Sequence, residues 1–141
     1  MTSRLRVLPG TAPEAEAAKR SVRKVYPVSV NCTSFVGTTC TPPFKTRVRT
    51  EGMLVAEFTA SSSHCTEIGL IFQVEATNRD YGDHYAQPGQ SSGKVNLGSV
   101  KAGRHTVRVS AYDIAGGCDP APAAGGWTGW SGELKLTVSR R

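Results

Sequence analysis

Chemistry in this chain could reside in its four cysteines, its three histidines and one acidic, aromatic run. Cys32, Cys40, Cys65 and Cys118 allow three disulfide pairings. Cys32 and Cys40 bracket a short threonine-rich stretch, NCTSFVGTTC, and Cys65 and Cys118 each follow a predicted strand, so 32–40 with 65–118 is the simplest pairing. Paired cysteines imply an oxidising location. The rival is a zinc site built on His64 and Cys65. Adjacent residues on an extended chain point apart, however, and no C-x-x-C pair exists, so neither a metal nor a cofactor is expected.

The run NRDYGDHYAQPGQSSG, residues 78–93, gathers Asp80, Tyr81, Asp83, His84 and Tyr85 between two predicted strands. Carboxylates beside aromatic rings on a loop suit contact with a sugar, calcium or a protein. The spacing fits no calcium loop, and the competing expectation is a solvated hairpin loop packed on itself. Asp83 and His84 could form an acid–base pair only as sequence neighbours, which seldom act together. G-x-S-x-G, HExxH and glycine-rich phosphate loops are all missing. No catalytic residues are therefore expected, and the chain reads as non-enzymatic. Asn31-Cys32-Thr33 is a formal match to a glycosylation acceptor.

The elements that must position these residues are strands. From about residue 44 onward a period of two dominates, the mark of half-buried strands. In EIGLIFQVEAT (67–77), Ile68, Leu70, Phe72, Val74 and Ala76 share one face; in RHTVRVSAY (104–112), Val107, Val109 and Ala111 do so; in ELKLTVS (133–139), Leu134, Leu136 and Val138. His105 has the inward parity and reads as a satisfied histidine near the end of the core face. FKTRVRT (44–50) and GKVNLGSV (93–100) are weaker strands, and MLVAEFTA (53–60), apolar on nearly both faces, is expected to lie centrally. KVYPVSVN (24–31) carries Pro27 and belongs at an edge. About seven strands with turn-rich connections predict an all-β fold, an antiparallel immunoglobulin-like β-sandwich stapled by disulfides, with a closed barrel as runner-up.

The helix signal is confined to TAPEAEAAKRSVRK (11–24), where Thr11 and Glu14 have capping-box spacing. Its apolar residues are mostly alanine, so it has little to bury and would order only against a partner. Residues 1–24 are accordingly expected to form a basic N-terminal arm, and residues 25–141 the sandwich. The two tryptophans divide by parity. Counting back by twos from Leu134 reaches Trp130, which is expected in the core provided no bulge intervenes at Gly132. Trp127 has the opposite parity, follows Gly125 and Gly126, and is the candidate exposed aromatic; folding back over the sandwich end is its alternative.

The formal net charge of +6 is unevenly spread. Residues 1–50 hold nine Lys or Arg against Glu14 and Glu16, a surplus of seven, so the rest of the chain is slightly acidic. Arg4, Arg6, Lys19, Arg20, Arg23 and Lys24 make the leading segment a tether suited to an acidic surface. No apolar run approaches the roughly 18 residues of a membrane span, and the leading segment lacks the apolar stretch of a signal peptide.

Three stretches carry a family resemblance. FTASSSHCTEI, then PGQSSGKVNLGSVKAGRHTVRVSAYDIAGGC, then WSGELKLTV repeat an order of elements: S-x-H-C after an FTA strand, a G-x-H-T-V-x-V strand, G-G-C and a terminal W-x-G-x-L-x-V strand. Over residues 54–138 this resembles an immunoglobulin-like β-sandwich domain common in secreted and surface-exposed bacterial proteins. The resemblance supports a Cys65–Cys118 bridge and makes Trp130 the tryptophan that opens the last strand. It implies no activity, because a shared fold does not transfer function. The front 50 residues and the PAPAAGG approach to Trp127 have no counterpart in it.

Two functions fit these readings. One is a structural or interaction protein on a virion surface, such as a bacteriophage capsid decoration or minor capsid protein, anchored to protein neighbours through its arm. The other is a secreted or cell-surface bacterial module whose loops bind carbohydrate or protein. Either places the chain on a virion or outside the cell, and neither expects nucleic acid as a partner.

Overall fold

The computed structural model of the chain describes residues 21–77, 79–114 and 129–139. Ten strands run through them: β1 Ser21–Asn31, β2 Ser34–Val36, β3 Thr39–Thr41, β4 Phe44–Thr50, β5 Met53–Ala60, β6 Ile68–Val74, β7 Arg79–Ala86, β8 Ser91–Ser99, β9 Gly103–Tyr112 and β10 Gly129–Ser139. Every pairing is antiparallel. One sheet has the order β1-β10-β5-β8. In the other, β7, β6 and β9 follow one another, β3 and β4 both pair with the far side of β9, and β2 flanks β3.

Alternation accounts for the packing. Leu54, Ala56, Phe58 and Ala60 of β5 and Leu134, Leu136 and Val138 of β10 meet Leu70, Phe72 and Val74 of β6 and Val107, Val109 and Ala111 of β9 in one continuous core. The coarse expectation therefore holds: all-β, two antiparallel sheets and a disulfide. β5 is interior, between β10 and β8, and the Pro27 strand lies at an edge, paired only with β10 among the described strands. Trp130 is 2% exposed, its ring edge-on to Phe58 with centroids 5.5 Å apart. Gly132 keeps that parity, and a Cβ there would lie 2.5 Å from the Phe58 ring and 2.2 Å from the Thr59 carbonyl oxygen, so only glycine fits.

Two expectations are corrected, and the 32–40 pairing is borne out. Residues 21–24 are not the end of a helix: Val22, Lys24, Tyr26, Val28 and Val30 form the inward row of β1, and Ser21 already pairs with Ser139. A valine-rich strand with a partner edge buries more than an alanine-faced helix could. Arg23 and Lys24 thus belong to the sandwich rather than to an arm, whereas Arg4, Arg6, Lys19 and Arg20 lie outside the described residues. NCTSFVGTTC is a small hairpin, β2 with β3, closed by the Cys32–Cys40 disulfide. Finally, 79–86 is a strand, not a loop. Its period of two is broken by a register shift opposite Leu70–Phe72, with Asp83 at φ 64°, so Tyr81 on one side of the bulge and Ala86 on the other both reach the core.

The order of the last strands also departs from the immunoglobulin pattern, in which the final two are neighbours in one sheet. Here β9 and β10 lie in opposite sheets: β4 takes the place beside β9, and β10 the place beside β5.

Candidate functional site

The residues singled out from 78–93 separate onto two faces of β7. Tyr81 turns inward, packs against the core and donates its hydroxyl to the Leu97 carbonyl at 3.0 Å, joining the two sheets. His84 stands edge-on to Phe72, with centroids 5.8 Å apart. Asp80 is exposed, opposite Gln73. Asp83 and Tyr85 do come together, with a partner the sequence reading had not named. Gly69 of β6 lies between Tyr85 of β7 and Tyr112 of β9 in register. The Tyr112 ring occupies the space above Gly69, where a Cβ would lie 2.2 Å from it. Tyr85 is 46% exposed and edge-on to Tyr112, whose hydroxyl donates to Asp83 Oδ1 at 3.2 Å. Burial first, then Tyr85 and Asp83, push the Tyr112 phenol above its ordinary range. The result is a small aromatic face with one carboxylate, on a sheet rather than a loop.

The cysteine and histidine readings resolve differently. Cys32 and Cys40 are joined to each other, and Cys65 is also disulfide-bonded; its expected partner Cys118 lies outside the described residues, as does Trp127. His64 is a clasp: the Ser131 N–H donates to its Nε2 at 3.1 Å, fixing the start of β10 to the turn after β5. Among the described residues no group of three His, Cys, Asp or Glu could hold a metal ion. His105 is half-buried and hydrogen-bonds the Lys101 carbonyl through Nε2.

A strongly basic surface joins residues that the sequence divides between arm and body. On β4, Val48 and Thr50 are buried, so Lys45, Arg47 and Arg49 point outward. Register places Lys45 opposite Arg108 and Arg49 opposite Arg104 on β9. Like charges directly across a ladder repel. The first pair is bridged: Glu75 reaches Arg108 at 2.8 Å and Lys45 at 3.3 Å, and these two contacts hold its carboxyl below the usual range. Arg49 and Arg104 have no such carboxylate, and no ion pair among the described residues involves them. Beside them a cleft of about 300 Å³ opens between the edges of the two sheets, lined by Lys24, Tyr26, Arg47, Val48, Arg49 and Arg104. No sequence signal could have found it: the pairing of Arg104 with the basic strand 44–50 joins charges 55 residues apart and exists only through register.

Fold and surface together define a disulfide-stapled β-sandwich with one cationic edge and one aromatic face. No protein-family model matches the chain, and no curated protein matches it.

Proposed function

We propose that this chain is a non-enzymatic structural and interaction protein, a component of a virion surface such as a bacteriophage capsid decoration or minor capsid protein, attached to protein neighbours. The observation that carries the reading is the gathering of Lys24, Arg47, Arg49 and Arg104 around the cleft between β1 and β4, with no ion pair to any of them among the described residues. The basic leading segment, with Lys19 and Arg20, joins the sandwich at Ser21, at the same end as Arg49 and Arg104. Tether and edge would then present one basic surface to an acidic neighbour. The Cys32–Cys40 disulfide is compatible with assembly or residence in an oxidising medium. Among the described residues no helix is long and apolar enough to cross a membrane.

The FTA stretch forms β5, the H-T-V-x-V stretch β9 and the W-x-G-x-L stretch β10, and His64 of S-x-H-C clasps Ser131, which supports an immunoglobulin-like surface domain with exchanged outer strands. A second reading, a secreted module that binds carbohydrate, is favoured by the face of Tyr85, Tyr112 and Asp83, since sugars stack on rings and bond to carboxylates.

Deleting residues 1–20 and co-sedimenting the variant with native particles tests the first reading. Attachment should weaken in a salt-dependent way, the loss being greatest at low salt where the deleted cations count most, while the melting transition of the sandwich stays nearly unchanged. Attachment equal to that of the full chain would overturn it.

A further inference from the structure

We infer that the open edge of β4, with the cleft between it and β1, docks an extended acidic segment of a partner protein, which adds to the sheet as a further strand. The inference rests on the assembly reading above and names the site and chemistry of the contact. Three observations carry it. The first is the contrast within one ladder. Lys45 and Arg108 repel across β4 and β9 and are neutralised by Glu75, just past the end of β6; Arg49 and Arg104 repel in the same way, four residues along β4, and no described carboxylate reaches them. A repulsion that the described residues relieve at one end and not at the other is one that an acidic partner would relieve.

The second is spacing. Lys45, Arg47 and Arg49 recur every second residue on one face, a repeat of about 6.8 Å. Carboxylates at alternate positions of an extended peptide have the same repeat, so each would stand across from a cation as an opposite-charge pair. The third is the edge itself. Among the described strands β4 pairs only with β9, leaving alternate N–H and C=O groups turned outward for strand addition. The added strand's other face would meet Lys24 and Tyr26, which project from the inward row of β1 into the cleft. Cations along an edge also keep two copies of that edge apart. An acidic strand removes that barrier while a basic or neutral one does not, so the same residues exclude self-pairing and select the partner.

The test uses the full disulfide-bonded chain and a labelled nonapeptide of alternating glutamate and threonine. A control peptide is N-methylated at every residue, which keeps its charge but removes the N–H groups a ladder needs. The first peptide should bind in a salt-dependent way and slow amide exchange across residues 44–50. Arg49→Ala with Arg104→Ala should lower its affinity about tenfold, with the fold checked by circular dichroism. Equal binding of the N-methylated peptide would overturn strand addition, as would an unaltered affinity in the double variant or no binding at all. The parent reading fails separately: peptide bound at β4 with no attachment to particles would uphold this site and remove the assembly. Attachment that persists without peptide binding would remove this site alone.

Discussion

Replacing Trp130 by alanine empties the largest buried aromatic site among the described residues, and its cost can be worked through. The ring is 2% exposed and lies edge-on to Phe58. A buried aromatic side chain removes about 150–250 Å² from water, worth roughly 4–6 kcal/mol at about 25 cal/mol per Å². Alanine keeps one methyl group, about 0.8 kcal/mol of that. The indole Nε1–H has no hydrogen-bond partner among the described residues, so its removal returns about 1–3 kcal/mol. The cavity left between Phe58 and β1 adds its own penalty, and the net expectation is a loss of about 3–5 kcal/mol. Trp130→Phe separates the terms, because it keeps most of the packing and deletes the stranded N–H; it should cost less than about 1.5 kcal/mol. Urea unfolding followed by far-ultraviolet circular dichroism reads both, and the alanine variant's midpoint should fall by about 2 M. A loss below about 1 kcal/mol for alanine would refute the packing argument. Equal losses for alanine and phenylalanine would show that the indole N–H is paired after all.

Two further outcomes follow from the chemistry. Peptide mapping without reduction should recover Cys32 linked to Cys40 and Cys65 linked to Cys118, and replacing Cys32 and Cys40 by serine should cost up to about 2.5 kcal/mol for so short a loop; free thiols in the native protein would contradict the oxidising location. Tyr112, whose folded value is raised above 10.0, is protonated in both states below that pH, so its contribution to stability is intact there and is lost as pH climbs and the unfolded chain ionises first. Phenolate absorbance should show a late-titrating component from Tyr112, and Asp83→Asn should move it to lower pH; no change would remove Asp83 from its environment.

Parity carried most of the framework. It found β4, β5, β6, β8, β9 and β10, and it separated Trp130 from the surface because the inward row of β10 is unbroken at Gly132. It failed at β7, where the bulge at Asp83 shifts the inward set by one residue and leaves a pattern that reads as a polar loop. It also missed β2 and β3, each only three residues long and too short to show a period. Arg23 and Lys24 read as helix because charge and alanine on the preceding residues outweighed the alternate valines that follow. The cationic edge was invisible for a different reason: Arg104 and Glu75 acquire meaning only through register, which decides that one like-charged pair is bridged and the other is not.

The pairing of β1 with β10 also governs how the protein responds to force. Residues 21 and 139 lie at the same end of the ladder, so tension applied between those two points would open it one pair at a time, like a zip. Tension between residue 21 and the opposite end of the sandwich acts along β1 instead and loads all its pairs with β10 together in shear, which yields only when many bonds break at once. A sandwich held through the segment before β1 and dragged from its far end by flow or by a bound surface would thus meet the stress in its stronger direction. Moving the point of attachment to the end of β10, and leaving the strain on residue 21, would reverse that advantage without altering a single core contact.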